Sequence, residues 1–247
     1  NKMKADILAD QFQSVFTKDE GGAFPQLEGQ SYPSINQIEV TIAGVTKLLL
    51  NLKVRKAAGP DNIPARVLQE LADTLSPPLT AFFNQSLQQG TLPMDWKTAF
   101  ITPIFKKGNR QMAENYRPVS LTCICSKILE HIVCRQILCH LERYNILTAV
   151  QHGFRSGHTC ETQLLTTLHD FMHNWDTNNQ MDVIVLDFAK AFDTVPHDKL
   201  LGKLQHYGIT SNTHAWIQNF LKGRTQQVVV DGDRSKSVQV ESGVPQG

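Results

Sequence analysis

The sequence predicts an α+β fold, rich in helix and carrying a small antiparallel sheet, on three observations. First, several stretches repeat apolar residues every three or four positions, among them Ile38, Ile42, Val45, Leu49 and Leu52, the period of an amphipathic helix. Second, Val183, Ile184, Val185 and Leu186 form a continuous apolar run, mostly β-branched. That pattern fits a short strand buried on both faces, with Asp187 delivered at its C-terminal end. Third, Gln226–Val230 and Ser237–Val240 are strand-like runs flanking Asp231, Gly232 and Asp233, a hairpin signal.

Taken in order, Lys2–Phe16 reads as an amphipathic helix with Leu8, Phe12, Val15 and Phe16 on one side. Thr17–Ser34, rich in Gly, Pro and polar residues, reads as a linker or surface loop. Asn36 is placed to cap the next helix, with Glu39 completing a capping box. Gly44 inside that helix implies a close packing neighbour, because Gly there costs about 1 kcal/mol relative to Ala. Gly59, Pro60, Asp61 and Asn62 spell a turn. Two helices are expected after it, over Ala65–Leu75 and Leu79–Gln89, the second stopped by Gly90.

Ala99–Phe105 then reads as a strand, Lys106–Asn109 as a turn with two ammonium groups, and Asn115–Ser120 as a return segment. This hairpin would hold Lys and Arg over one cleft, a combination suited to a triphosphate: Arg offers a planar fork, Lys a point charge. A long scaffolding helix, Leu121–Tyr144, follows. Gln151–Thr159 is a Gly-punctuated basic loop opening onto a helix whose Leu164, Leu168, Phe171 and Trp175 are spaced for packing. A helix N-terminus beside an Arg can hold a phosphate. After the apolar run, Pro196 is placed to start a helix ending near Gly208. Ser211 is placed to cap another, which carries Trp216, Ile217, Phe220 and Leu221 and stops at Gly223.

Composition bounds the function. With 247 residues, 41% hydrophobic and 19% charged, the chain can bury a sizeable core. No apolar run approaches the roughly 18 residues that a membrane span needs, so no membrane partner is expected. The net charge of +1 conceals a segregation. Lys97–Lys127 holds six bases against Glu114, while Asp170–Asp198 holds six Asp against Lys190; the first suits phosphates and the second divalent cations. The five cysteines, Cys123, Cys125, Cys134, Cys139 and Cys160, include no C-x-x-C pair. They read as small core thiols and not as a zinc site or a disulfide framework.

The stretch Asp187, Phe188, Ala189, Lys190, Ala191, Phe192, Asp193 resembles the first carboxylate motif of reverse transcriptases, in the form carried by non-long-terminal-repeat (LINE-type) retrotransposons. Four further matches follow the same order along the chain. Lys56–Pro64 resembles the motif preceding the fingers, Lys106–Ser120 the fingers hairpin, Gln151–Thr159 the template-side segment, and Ser242–Gly247 the Pro-Gln-Gly motif. Ordered multiple matches make chance agreement improbable. The resemblance covers Asn36–Gly247 and implies a right-hand polymerase, with residues 36–180 as fingers and 181–247 as the first part of an incomplete palm, behind an N-terminal helix and linker over 1–35.

The resemblance further implies RNA-directed DNA polymerase activity, joining a deoxynucleoside triphosphate (dNTP) to a primer 3′-hydroxyl with Mg²⁺ at a two-metal site. Asp187 would be the catalytic carboxylate and metal ligand, with the Phe188 carbonyl as an extra ligand. Lys106 or Lys107 and Arg117 would grip phosphates, spacing leaving open which lysine is the primary contact. Phe192 would pack under the sugar and exclude a 2′-hydroxyl, and Gln246 would contact the incoming nucleotide. Gln151, Gly153, Phe154 and Arg155 would run along the template.

The implied partners are an RNA template, a DNA primer, dNTP, and further palm and thumb segments of a parent polyprotein acting in the nucleus. The family's aromatic-Ala-Asp-Asp strand is absent, since the chain contains no Asp-Asp pair and runs from Asn1 to Gly247. It reads as an internal fragment, expected to be inactive by itself. Two alternatives stand beside this reading: a non-catalytic nucleic-acid-binding remnant of a decayed retroelement, and a metal-dependent phosphohydrolase using the Asp-rich window. The second explains neither Phe192 nor the Pro-Gln-Gly ending.

Overall fold

The structure is a computed structural model and describes residues 1–18 and 32–246. Most of the linker expected over 17–34 therefore falls outside the described residues. The chain divides into two compact units, one formed by 1–136 with 190–247 and the other by 137–189.

The larger unit is built on a mixed sheet. Strand β1 (Thr98–Phe105) pairs antiparallel with β2 (Tyr116–Leu121) and parallel with β3 (Thr225–Val230). The two short strands β4 (Asp233–Arg234) and β5 (Val238–Gln239) pair antiparallel with β3. The parallel β1–β3 pair corrects the expectation of a purely antiparallel sheet. Its cause is topological, because well over a hundred residues separate these strands and nothing restricts them to a hairpin. Pro103 faces Pro118 across β1 and β2, whereas β3 pairs with β1 only through Ile101. Pro103 thus sits where its missing N–H breaks no bond to β3. At the β3–β4 turn both Asp231 and Gly232 have positive φ, 50° and 88°, as a tight two-residue hairpin requires.

One sheet face is covered by helix α1 (Lys2–Gln13), whose Ala5, Leu8, Ala9 and Phe12 bury against Ala99, Ile101, Val228 and Val238. The expected apolar stripe is present, although Val15 and Phe16 lie past the helix end. Helix α2 spans Ile42–Leu50, not a helix begun at Asn36. The displacement has a physical reason: the Asn84 side chain accepts from the Val40 N–H and donates to its carbonyl, each at 2.9 Å. Both main-chain groups that a helix would need at Val40 are thereby taken, and Thr41 becomes the cap, its side chain accepting from the Gly44 N–H. Gly44's close neighbour is that capping hydroxyl.

The turn at Gly59–Asn62 forms as expected. The Asp61 carboxylate accepts from the Ile63 N–H, and a Cβ on Gly59 would come within 2.5 Å of the Thr122 carbonyl. Helix α3 is short (Ala65–Glu70), and α4 (Ala72–Gln89) starts earlier than predicted, running through Pro77 and Pro78. The prolines mark no boundary because α4 is secured elsewhere: Phe83 and Leu87 are buried, Thr46 donates to the Ser76 hydroxyl, and Trp216 Nε1 donates to the Ser86 hydroxyl. Gly90, at φ 65°, ends α4. Helix α5 (Ile124–Arg143) begins in this unit. After 189 come α7 (His197–His206) and α8 (Ser211–Leu221), the latter capped at Thr210 and not Ser211. Trp216, Ile217, Phe220 and Leu221 are buried as anticipated.

The smaller unit holds the end of α5, the 144–159 loops, helix α6 (Cys160–Asp176) and the chain to 189. Thr159 caps α6 in a reciprocal box with Thr162. Two expectations are corrected here. Val183–Leu186 forms no strand and its side chains are exposed, 82% at Ile184 and 87% at Val185; β structure requires a partner ladder, and no described strand pairs with this run. Leu164, Leu168, Phe171 and Trp175 are likewise exposed, since α6 buries none of its residues. The thiols also divide: Cys123 and Cys125 are buried, while Cys134, Cys139 and Cys160 are exposed, against the reading of all five as core thiols.

Candidate nucleotide site

The larger unit contains a narrow cleft of about 30 Å³, smaller than a typical small-molecule site. Its lining includes Phe12, Phe16, Phe192, Asp193, Arg224 and Gln246. Two residues singled out for nucleotide contact, Phe192 and Gln246, are therefore brought together. The segments carrying them are bonded to each other: the Val244 N–H donates to the Phe192 carbonyl and the Gly243 N–H to the Val195 carbonyl, both at 2.8 Å. Gly243 has φ 83°, and a Cβ there would collide with the Phe192 carbonyl and with Asp193. Only glycine lets these strands of backbone approach so closely. On the other side the Gln246 carbonyl accepts from the Ser120 N–H at 2.6 Å, which ties the Pro-Gln-Gly segment to β2.

His197 and Arg224 were not anticipated as site residues. His197 is buried, with Nε2 2.8 Å from the Gly243 carbonyl; facing an acceptor, that nitrogen carries the hydrogen. Arg224 is 3% exposed as a residue, and its guanidinium lies 4.8 Å from the Phe220 ring and donates to the Phe220 carbonyl. Its Nη2 has no hydrogen-bond partner. Burial lowers the Arg224 pKa, opposed by Glu130, and burial raises that of Glu130, opposed by Arg224 and Lys127. The available sequence signal was an arginine directly before an apolar strand, where an unpaired charge is costly. Burial also raises Asp193, against a smaller opposing effect of Lys190.

Lys106, Lys107 and Arg117 are exposed on the β1–β2 hairpin, Arg117 opposite Ile104 in the ladder. The turn between the strands is stiffened by its own polar groups. Lys106 N–H donates to the Asn115 carbonyl, the Asn115 amide to the Asn109 carbonyl, and the Tyr116 hydroxyl to the Arg110 carbonyl. Arg110 lies over the Phe105 ring at 4.7 Å. The hairpin thus presents four cations, Lys106, Lys107, Arg110 and Arg117, on a short, braced ribbon, which is a chemistry for phosphate oxygens.

In the smaller unit, Arg155 turns inward: Nη1 donates to the Thr148 carbonyl at 2.9 Å, and Nε lies 3.9 Å from Glu142. Gln151 donates to the Gly153 carbonyl, and Phe154 is 83% exposed at φ 60°. An aromatic residue in the left-handed region is strained and persists where its surroundings fix it. Asp187 and Phe188 are exposed in the same unit. Among the described residues no group of three His, Cys, Asp or Glu is arranged to hold a metal ion. One carboxylate and one main-chain carbonyl fall short of the oxygen set Mg²⁺ requires, so the residues present do not by themselves fit a two-metal site. Among the described residues no helix is long and apolar enough to cross a membrane.

Residues 104–247 match the family model described as reverse transcriptase (RNA-dependent DNA polymerase). The chain is 31% identical over 222 residues to the RNA-directed DNA polymerase from mobile element jockey of Drosophila melanogaster, covering 90% of this chain and 24% of that protein. It is 26% identical over 243 residues to the probable RNA-directed DNA polymerase from transposon BS of the same species, covering 96% and 26%. A third relative, the retrovirus-related Pol polyprotein from type-1 retrotransposable element R2 of Popillia japonica, is 27% identical over 168 residues, covering 67% and 23%. The chain spans about a quarter of the length of these relatives.

Proposed function

The chain belongs to the reverse transcriptase family, and from that premise we propose that it is the nucleotide- and template-binding part of an RNA-directed DNA polymerase of a LINE-type retrotransposon. The observation that carries this reading is the meeting of Phe192 and Gln246, 54 positions apart in sequence, in the lining of one cleft. In this reading residues 36–180 serve as fingers and 181–247 as the start of the palm. Phe192 lies under the deoxyribose, Gln246 contacts the nucleotide, and Lys106 or Lys107 with Arg117 holds its phosphates. Gln151, Gly153, Phe154 and Arg155 follow an RNA template to which a DNA primer is annealed.

Reverse transcriptases use divalent metal ions, and in this reading Asp187 and the Phe188 carbonyl would contribute to a Mg²⁺ site without completing it. A single carboxylate does not hold that ion, so what the described residues do themselves is bind and orient: the cations hold phosphates, Phe192 selects the sugar, and Gly243 keeps both segments close enough to share the nucleotide.

The test is titration of the chain with dTTP and UTP, with dUTP, which differs from UTP only at the 2′ position, as the control for the base. Binding is expected to favour dTTP, and Phe192→Val is expected to admit UTP with little loss of dTTP. Equal preference in both proteins would refute the assignment of Phe192.

A further inference from the structure

The cleft is lined in part by the beginning of the chain, where the resemblance assigned nothing beyond a helix and linker. Phe12 and Phe16 belong to its lining. Past the end of α1, the Thr17 N–H donates to Ser242 Oγ at 2.8 Å, across 225 residues of sequence. Thr17 Oγ1 donates to the Thr194 carbonyl at 3.0 Å. Ser242, only 1% exposed, passes its own hydrogen to the Asp193 carbonyl at 2.6 Å. Thr17 is thus bonded at once to the segment that carries Phe192 and to the one that carries Gln246.

We propose that Thr17 and Ser242 are positioning residues of the nucleotide site, with the exit of α1 setting the register of 192–197 against 242–246. The proposal rests on the reading of this cleft as a nucleotide site. Packing of α1 alone does not call for these bonds, because its contact with the sheet is made by Ala5, Leu8, Ala9 and Phe12. The hydroxyls of Thr17 and Ser242 add direction to that contact: each bond fixes a carbonyl in a loop where no strand ladder does so. Without them, Phe192 and Gln246 keep their identities and lose their mutual placement.

The experiment compares Thr17→Val, Thr17→Ser, Ser242→Ala and Gln246→Ala in the full chain. Thr17→Val keeps the shape and the N–H and removes only the hydroxyl, so it tests the idea even if Ser242→Ala does not fold. Amide hydrogen exchange is measured at Gly243 and Val244 without nucleotide, and dTTP affinity is measured separately. Thr17→Val and Ser242→Ala are expected to raise exchange at those two amides and weaken dTTP by roughly 3- to 10-fold, the scale of one or two hydrogen bonds. Amides of the β1–β3 ladder should keep their protection, and Thr17→Ser should restore both readouts.

Unchanged exchange, exchange raised equally throughout the sheet, or no rescue by Ser would overturn the proposal. If Gln246→Ala weakens dTTP while Thr17→Val does not, the nucleotide reading stands and the positioning role is lost. If exchange responds but Gln246→Ala binds dTTP as tightly as the unaltered chain, the reading of the cleft has failed, and the proposal falls with it.

Discussion

Gly243 shows how one residue type carries a site. Its φ of 83° and the proximity of the Phe192 carbonyl and Asp193 leave no room for a Cβ. Gly243→Ala is expected to cost about 2–4 kcal/mol, from the backbone conformation and displaced main chain together, and to abolish dTTP binding; thermal unfolding and titration measure the two effects. Asp193 gives a second prediction. Burial raises its pKa above the ordinary 3.8, so the folded state holds the proton more tightly than the unfolded chain. The penalty is absent below the unfolded pKa and grows as pH rises through the folded one. Asp193→Asn should therefore raise the melting temperature at pH 7 and bring no gain at pH 3. Phe192 and Gln246 were legible in sequence because their motifs are local. Thr17, Ser242 and His197 were not, since a hydroxyl or imidazole bonded to a distant carbonyl leaves no periodic trace.

Elements were legible where local chemistry decides them. The Gly59–Asn62 turn, the stop at Gly90, the capped start of α6 and the Asp231-Gly232 hairpin all formed where the residues placed them. They misled where a distant partner decides. Asn84 holds Val40 extended, although the apolar period ran back to Ile38. Because Val40 is buried, Asn84→Leu would leave an N–H and a carbonyl unpaired, an expected loss of about 2–6 kcal/mol at 1–3 per group, to be read from denaturant unfolding. Val183–Leu186 erred for the same reason in reverse, as an apolar run specifies only the appetite for a ladder. For the braced β1–β2 hairpin, Arg117→Gln and the Lys106→Gln, Lys107→Gln pair are each expected to weaken dTTP several-fold, less so in high salt. A salt-independent effect would argue against phosphate contact.

At the scale of the molecule, what was read as fingers and what was read as palm share a sheet through the parallel pairing of β1 with β3. No local pattern announces a pairing of that sequence separation. The consequence for chemistry lies in how the acids are distributed. Nucleotidyl transfer by two metals needs several carboxylates converging within a few Å, yet among the described residues no group of three acidic, His or Cys side chains converges anywhere. In the proposed reading, the residues that bind nucleotide and the carboxylate meant for metal are separate sets. With an RNA template, a DNA primer, labelled dTTP and Mg²⁺, it is expected to extend no primer, while still binding dTTP more tightly than UTP. Asp187→Asn is expected to leave that binding little changed, since Asp187 is not among the residues that line the cleft. Primer extension that disappears on Asp187→Asn would overturn the separation, and would mean that Asp187 is completed by ligands that converge on it only when template and primer are bound.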